Sequence, residues 1–268
     1  MRVVSLGDLV LDVVVKLAQP LAIGADAASV ISISPGGQGA NVAAWVAFLG
    51  GEAAWLGKRA DDDGGRLAAA GLEGHGVELL GPVAPSGGGV IVSLVAPDGE
   101  RSMCPDRGAA TSLRPDEIAP AMVACDHLHV SGYSLATEPV RAATIHAVGL
   151  AREQGARISV DLSSWSVIRD VGTAEFGELL LQLEPNVVFA NELELEAIGG
   201  QIGSASWIVK RGADGCGFDG VLRPAVAVPE TVDTTGAGDA LAAGWILGGP
   251  ELALEAAARC VQRMGAMP

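Results

Sequence analysis

Apolar residues along the chain follow two alternating patterns. Short, mostly apolar runs, as at 53–56 and 186–190, are typical of buried strands, and longer segments with helical spacing stand between them. We predict strands at 3–6, 53–56, 127–131, 157–161, 186–190 and 206–210, and helices at 39–49, 65–73, 139–154, 176–183, 192–198, 237–247 and 251–264. This alternation predicts an α/β fold with a mostly parallel central sheet that is covered by helices on both faces.

Two segments interrupt this rhythm. Between residues 9 and 34 apolar positions alternate with no helical period, and residues 87–104 are typical of a hairpin with a turn at 97–99. We expect the two segments to form a small β-sheet that acts as a lid. The predicted α/β domain then consists of residues 1–8, 35–86 and 105–268, and the predicted β lid of residues 9–34 and 87–104.

Composition narrows the function classes. The 268 residues are 49% hydrophobic and carry a net charge of −15, which excludes a disordered chain and argues against nucleic acid as a partner. No uninterrupted apolar run reaches the ~18 residues of a membrane span. The first residues lack the pattern of a signal peptide, and the four cysteines form no Cys-x-x-Cys pair, so we expect a cytoplasmic protein with reduced thiols.

The histidines offer little evidence of a metal site. His127 and His129 alternate along a predicted strand and therefore share one face, where they could hold a metal ion. No third ligand stands nearby in the sequence. We expect them to have polar partners in the fold instead.

The strongest local signal is Asp-Thr-Thr-Gly-Ala-Gly-Asp at 233–239, just before an apolar helix. A helix N-terminus offers unpaired N–H groups and a partial positive charge, and small residues let an anion approach the backbone. Asp239 would lie beside that anion site, where it can take a proton from a hydroxyl that attacks phosphorus. The alternative is a capped helix with an acid in its first turn.

Three further segments stand where strands meet helices or turns. They are Pro-Gly-Gly-Gln-Gly-Ala-Asn at 35–41, Asn-x-x-Glu at 191–194, and Lys-Arg-Gly-Ala-Asp-Gly at 210–215. The first could bind ligand hydroxyls, the second could order waters around Mg²⁺, and the third lets the backbone pass close to a nucleotide. Taken alone, each also fits a bland alternative: a glycine-rich turn, an N-cap, or a β-turn.

The order of these segments, with Gly7-Asp8 and Asp12 near the start, resembles the ribokinase-like (PfkB) carbohydrate kinase family over essentially the whole chain. The resemblance implies a three-layer α/β/α fold with a small β lid, and ATP-dependent phosphorylation of a hydroxyl. Asp239 would be the general base. The resemblance also implies an anion hole at Gly236, Ala237 and Gly238, substrate binding by Asp12, Gly37 and Asn41, nucleotide binding by Asn191, Lys210, Gly212 and Gly215, and Mg²⁺ held through water by Glu194. Asp233 would help to bind a monovalent cation such as K⁺.

Several positions depart from the family pattern. Many relatives carry an Asn two residues after the acid at 161, where this chain has Ser163, and ribokinases proper often have Lys where this chain has Gln38. The chain also ends at Pro268, early for the family, so we expect a reduced wall on the adenine side. Arg107 follows the second lid segment and could reach an anionic substrate group, with a surface arginine on a turn as the alternative.

We therefore expect an ATP- and Mg²⁺-dependent kinase that acts on a sugar or sugar-like substrate. A nucleoside kinase of the same family and a non-catalytic ligand-binding protein on the same fold are the alternatives, and the absence of a Gly-x-Gly-x-x-Gly after the first strand ranks a nicotinamide enzyme last. The acidity of the chain favours a neutral substrate over a strongly anionic one. A monomer and a homodimer through the lid are both consistent with the sequence.

Overall fold

The centre of the protein is a nine-stranded sheet in a computed structural model that describes residues 1–98 and 100–268. Numbered along the chain and given in sheet order, its strands are β6 (Glu78–Leu80), β4 (Glu52–Leu56), β1 (Arg2–Leu6), β10 (His127–Ser131), β11 (Arg157–Asp161), β12 (Val187–Asn191), β13 (Ser206–Lys210), β14 (Cys216–Phe218) and β15 (Val221–Arg223). The strands from β6 to β13 run parallel, and β14 and β15 close one edge as an antiparallel hairpin.

Helices cover both faces of this sheet, as the alternation of patterns predicts. The helices are α1 (Gln38–Phe48), α2 (Asp63–Gly74), α3 (Val140–Glu153), α4 (Trp165–Val171), α5 (Thr173–Leu183), α6 (Glu192–Ala197) and α7 (Ala237–Cys260). Buried side chains of α1, α2 and α7 form one apolar core, and those of α3, α4 and α5 form a second core on the opposite face. The structure therefore has the three layers of the predicted α/β/α fold.

A separate four-stranded sheet contains both segments that interrupt the rhythm. Its order is β3 (Ser29–Gly36), β2 (Val10–Leu17), β8 (Gly89–Val95) and β9 (Arg101–Asp106). Strands β3 and β9 continue two residues beyond the expected lid boundaries at 34 and 104, and the predicted turn at 97–99 includes Gly99, which lies outside the described residues. A two-stranded pairing of β5 (Arg59–Ala60) with β7 (Val83–Ala84) lies apart from both sheets.

The elements that the hydrophobic pattern does not predict are short. Strands β6, β14 and β15 have only three residues each, too few to display a period, and α4 has seven. The two predicted C-terminal helices form one element that is interrupted at Gly249, whose φ of 75° and ψ of −161° are not helical. Every other predicted element occurs within a few residues of its expected bounds.

The two strand histidines have a shared polar partner. His127 Nε2 lies 2.7 Å and His129 Nδ1 lies 2.9 Å from the hydroxyl of Ser159 on the neighbouring strand β11. All three residues are buried. Within the described part of the chain no cluster of three or more His, Cys, Asp or Glu could hold a metal ion, and no helix is long and apolar enough to cross a bilayer.

Parallel pairing brings the carboxyl ends of β1, β10, β11, β12 and β13 to one edge of the sheet, where an open α/β sheet typically binds its ligands. The amino-terminal ends of α1 and α7 meet that edge. Close packing there requires glycine, since a Cβ on Gly39 would lie 2.7 Å from the Cα of Gly7. The segments singled out in the sequence are therefore neighbours in the fold.

Candidate active site

The first turn of α7 contains the candidate general base. Gly236 is the N-cap, with φ 79° and ψ −2°, and a Cβ there would lie 2.5 Å from the carbonyl oxygen of Ala266. Only glycine enters this left-handed, crowded position without strain. The chain then turns into the helix so that Asp239 is buried, at 9% exposure, where the Asn41 side-chain amide donates a 2.8 Å hydrogen bond to its Oδ2.

The environment of Asp239 raises its pKa to about 7. Burial is the largest cause, because it penalises the charged carboxylate, and the nearby Asp161 carboxylate adds to it. The hydrogen bond from Asn41 and the Lys210 charge act in the opposite direction. A carboxylate with this pKa can accept a proton near neutral pH, as a general base must.

Beside Asp239, the backbone and one lysine form a positively polarised surface. The first N–H groups of a helix have no partner within it. That of Ala237 donates to the Thr234 carbonyl at 3.3 Å, and that of Gly238 has no partner among the described residues and is available to an anion. Lys210, at the end of β13, brings its Nζ within 3.3 Å of where a Cβ on Gly238 would stand, and pairs with Asp161 Oδ2 at 2.7 Å. Burial works against the charged lysine, but the carboxylates of Asp161 and Glu194 outweigh it and raise its pKa, so Lys210 stays cationic.

Asn191 and Glu194 form a closed unit at the start of α6. The Asn191 side chain accepts from the Glu194 backbone N–H, and the Glu194 carboxylate accepts from the backbone N–H and side-chain amide of Asn191, each at 2.8–2.9 Å. This is the N-cap alternative, and it is present. Burial raises the pKa of Glu194, while Lys210 opposes that rise. The carboxylate oxygens of Glu194 and the amide oxygen of Asn191 are the donor chemistry that suits Mg²⁺ with its waters.

The glycines that follow Lys210 shape the turn between β13 and β14. Gly212 has φ 58° and Gly215 has φ 102°, both in the region that favours glycine. A Cβ on Gly215 would lie 2.0 Å from the carbonyl oxygen of Arg223, so the hairpin backbone leaves no room for a side chain. The β-turn alternative is thus also present, and nucleotide binding by these glycines stays a prediction.

The second wall of the site comes from the small sheet. Asp12 on β2 is largely buried, its Oδ1 has no hydrogen-bond partner among the described residues, and burial raises its pKa to about 6. A Cβ on Gly36 would lie 2.1 Å from the Asp12 carboxylate. Gly37, with φ 96°, passes so close to Asp8 that a Cβ would lie 2.5 Å from its carbonyl oxygen. These contacts bring Asp12 to the start of α1, where Asn41 and Asp239 also lie.

Arg107 is not the surface arginine of the alternative interpretation. Its Nε and Nη2 donate to both carboxylate oxygens of Asp8, at 2.6 and 2.8 Å, and its guanidinium lies 5.6 Å from the Tyr133 ring centroid. The side chain is 17% exposed. The pair joins the end of β9 to the end of β1, so the Arg107 charge is already balanced by a carboxylate.

Asp233 binds the loop that leads into α7. Its carboxylate accepts hydrogen bonds from the backbone N–H of Thr235 at 2.9 Å and of Gly265 at 3.1 Å. These contacts position the loop against the C-terminal segment. The expectation that Asp233 also helps to bind a monovalent cation stays a prediction.

The structure adds residues that the sequence argument left without a role. Asp161 pairs with Lys210, and Gln38 accepts hydrogen bonds from the hydroxyls of Ser131 and Ser163. Gln38 and Ser163 stand at the two positions that depart from the family pattern. The available signal for Asp161 was its place at the carboxyl end of a buried strand, beside strands that carry the other site residues.

The sequence of this chain is similar to those of known carbohydrate kinases. The sequence profile of the "pfkB family carbohydrate kinase" matches residues 1–267. The chain is 34% identical to the ATP-dependent ribose-1-phosphate kinase of Halopiger xanaduensis, over 97% of this chain and 90% of that protein. It is 32% identical to Fructokinase-1 of Zea mays, over 89% of this chain and 80% of that protein.

Solved structures share the fold over nearly the whole chain. The adenosine kinase from Sinorhizobium meliloti superposes with a TM-score of 0.87 at 24% identity, covering 100% of this chain and 95% of that one. The putative Ribokinase II from E. coli, solved in complex with ATP and Mg²⁺, gives a TM-score of 0.85 at 22% identity, with 99% and 94% covered. The match across almost all residues, with the buried acid at the start of α7, establishes that this chain is a member of the pfkB family of carbohydrate kinases.

Proposed function

We propose that this protein transfers the γ-phosphoryl group of ATP to a hydroxyl of a sugar, with Asp239 as general base. The observation that carries the proposal is the buried Asp239 carboxylate in the first turn of α7, which lies next to the backbone N–H of Gly238, a group with no hydrogen-bond partner among the described residues. A proton acceptor and an anion site thus lie side by side. Phosphoryl transfer needs this arrangement, because its catalysis is mainly alignment and charge stabilisation.

Two buried oxygen atoms are suited to hold the acceptor sugar. Asn41 uses its amide N–H for Asp239, and its Oδ1 is buried without a partner among the described residues, as is Asp12 Oδ1. A buried acceptor without a partner is costly, so hydroxyl groups of a sugar would relieve both. Asn41 would then orient a hydroxyl beside the same Asp239 that removes its proton.

The phosphoryl group would be held by backbone dipoles and one cation. Donors that are fixed before the reaction need no reorganisation as charge develops, and Lys210 adds a full charge beside Gly238. Mg²⁺ would be held near Asn191 and Glu194 through water, where it would neutralise phosphate charge. Family membership and the ATP complexes of structural neighbours support this assignment.

The charge balance of the site favours a neutral sugar. Arg107 is paired with Asp8, and Lys210 with Asp161. A strongly anionic substrate would have to break one of these buried pairs, which costs several kcal/mol. The names of the two relatives differ in the charge of the substrate: the Zea mays protein is named for fructose, which is neutral, and the Halopiger xanaduensis protein for ribose-1-phosphate, which is anionic.

A substrate panel tests the proposal. ATP, Mg²⁺ and a panel of neutral sugars, sugar phosphates, sugar acids and nucleosides are incubated with the protein, and ADP release is measured. Asp239→Asn should lower kcat by about 10²–10⁴, the typical contribution of a general base. The matched control is Asp63→Asn, an exposed acid in the first turn of α2, which should leave kcat unchanged.

Two results would refute the assignment. If Asp239→Asn turned over substrate within about threefold of the wild-type rate, Asp239 would not be the general base. Wild-type protein that binds ATP normally and phosphorylates nothing in the panel would favour the non-catalytic binding protein.

The four-stranded sheet is the proposed lid, and one of its edges is also a candidate surface for dimer formation. Val30, Ile31 and Ile33 on β3 are exposed, so the sheet offers an apolar edge on which two copies could pair. A monomer and a homodimer through this sheet are the two arrangements that we propose. Light scattering coupled to size-exclusion chromatography distinguishes them by mass.

A further inference from the structure

Four short connections join the small sheet of β2, β3, β8 and β9 to the α/β domain, and we call them the lid connections. The first is residues 7–9 between β1 and β2, the second is residue 37 between β3 and α1, the third is residues 85–88 between β7 and β8, and the fourth is residue 107 after β9. The contacts that hold these connections set where the small sheet stands relative to the site.

The third lid connection is bound by a carboxylate of the α/β domain. Asp62 is the N-cap of α2, and its Oδ1 accepts the Gly65 backbone N–H at 2.8 Å. Its Oδ2 accepts the backbone N–H groups of Gly87 and Gly88, at 2.8 and 2.7 Å. An N-cap needs only one of the two oxygens, so the second oxygen is available to anchor the lid connection.

The third and fourth lid connections are in direct contact. The Ala109 backbone N–H donates to the Gly87 carbonyl oxygen at 2.7 Å, and a Cβ on Gly108 would lie 2.2 Å from that oxygen. A Cβ on Gly89 would lie 2.8 Å from the Arg107 carbonyl oxygen. Neither connection can shift here without moving the other, because their backbones pack with no side chain between them.

Arg107 and Asp8 extend these contacts to the first two lid connections. The Arg107 guanidinium donates two hydrogen bonds to the Asp8 carboxylate on the first connection. The Asp8 carbonyl oxygen accepts the Ala40 backbone N–H of α1 at 3.2 Å and lies close to Gly37, the second connection. One series of contacts therefore runs from Asp62 through all four connections to the start of α1.

The small sheet that these connections hold contains Asp12. Its strand β2 lies between β3 and β8, and Asp12 is paired with Ile91 of β8. Strand β8 begins directly after the segment that Asp62 binds. The position of β8 therefore sets that of Asp12 and of its buried Oδ1, which has no hydrogen-bond partner among the residues that the structure describes.

We propose that Asp62 is a positioning residue for the acceptor sugar: its carboxylate anchors the third lid connection, and through β8 it holds Asp12 where a sugar hydroxyl can reach it. The proposal rests on the proposed kinase function and on Asp12 as a sugar ligand. Asp62 lies outside every segment that the sequence singles out, because its second oxygen meets the lid only in the folded chain.

The expected effect falls on sugar binding and not on the chemical step. A small sheet without its anchor spends a smaller fraction of time in the binding-competent position, and the apparent Kd rises by the inverse of that fraction. Asp239 and the anion site belong to α7 and do not contact the anchor. Loss of two hydrogen bonds to this half-buried carboxylate corresponds to about a tenfold rise in the KM for the sugar, with kcat within about threefold of wild type.

Asp62→Ser tests the anchor without removing the helix cap. Serine is as good an N-cap as aspartate, but its single oxygen cannot serve both Gly65 and the two glycines of the lid connection. Asp62→Ala removes both functions. Asp63→Asn is the control matched for charge, since this exposed neighbour pairs with Arg66 on the surface of α2, and it should retain the wild-type KM.

Hydrogen exchange of the substrate-free protein measures the two functions separately. In Asp62→Ser the amides of residues 87–95 should exchange about tenfold faster than in wild type, while those of residues 63–74 in α2 keep the wild-type rate. In Asp62→Ala both segments should exchange faster. An unchanged rate at 87–95 in Asp62→Ser would overturn the proposal and leave Asp62 as a helix cap alone.

Steady-state kinetics then decide whether the anchor serves the sugar. The KM for the best sugar of the panel should rise in Asp62→Ser, while kcat and the KM for ATP are retained. Faster exchange with an unchanged KM for the sugar, or a loss confined to kcat, would overturn the positioning role. The exchange measurement needs no turnover, so a failure of the anchor appears there and a failure of the kinase assignment appears in the substrate panel.

Discussion

Replacing Lys210 with methionine should strongly destabilise the protein. The change removes a cation whose Nζ lies 2.7 Å from Asp161 Oδ2, in a pair whose side chains are 16% and 1% exposed. Methionine retains most of the aliphatic length, so the main loss is the charge. Asp161 would then be a buried carboxylate without its counter-ion.

The magnitude follows from that burial. Removing one partner of a buried ion pair costs about 3–5 kcal/mol, while a domain has a total unfolding free energy of roughly 5–15 kcal/mol. For a chain of this size such a loss lowers Tm by on the order of 10 °C. The KM for ATP should also rise, because the lysine stands beside Gly238 in the anion site.

Urea unfolding and thermal denaturation measure the effect, and two variants serve as controls. Arg211→Met removes the neighbouring cation, which is 43% exposed and 3.5 Å from Glu192, and should cost less than about 1 kcal/mol. Adding Asp161→Asn to Lys210→Met should recover part of the stability, because no buried charge is then left alone. A Tm for Lys210→Met within about 2 °C of wild type would refute the reasoning.

Two other predictions concern the core and the anion site. The pKa of His127 is lowered to about 3 and that of His129 to about 4, mainly by burial, so their stabilising effect is complete above pH 6.5 and is lost as pH falls toward those values. Between pH 6.5 and pH 5 the unfolding free energy of His129→Gln should therefore fall less steeply than that of wild type, by about 1.4 kcal/mol per pH unit. Urea unfolding at a series of pH values measures both slopes. Parallel curves for the two proteins would contradict this prediction. Gly236→Ala should lower stability by more than the ~1–2 kcal/mol of left-handed strain and should lower kcat, because its Cβ meets Ala266. Gly76→Ala, with φ 81° and open space around it, is the matched control, and equal losses in both variants would exclude the Ala266 contact as the cause.

The fold was accessible from the sequence because its signals are local. Buried parallel strands such as β4 and β12 consist mostly of short apolar runs, and amphipathic helices such as α3 repeat their apolar positions at helical spacing. Parallel strands also place their carboxyl ends at one edge, and this is where the residues that follow the strands meet in the structure. Short edge strands carry no period, which is why the hairpin of β14 and β15 was not predicted.

The hydrogen-bond and ion-pair partners of the site residues could not be predicted from the sequence in the same way. Asn41 and Asp239 are 198 positions apart, and the amide that reaches the carboxylate does so only because α1 and α7 pack side by side against the sheet. Lys210 was expected at the nucleotide on the basis of its motif. Its Nζ reaches Asp161 and the first turn of α7, because β11 and β13 flank β12 in the sheet, and its binding of the nucleotide stays a prediction.

The sequence by itself determined the layered α/β architecture, the separate small sheet and the order of the glycine-rich and acidic segments, since each depends on neighbouring residues and on backbone preference. Only the tertiary structure decided which charges neutralise one another and which buried oxygens remain without a partner. Those properties arise between residues far apart in the chain, through burial and distances of a few ångströms. The raised pKa of Asp239 and the balanced charge of Arg107 both belong to that second kind.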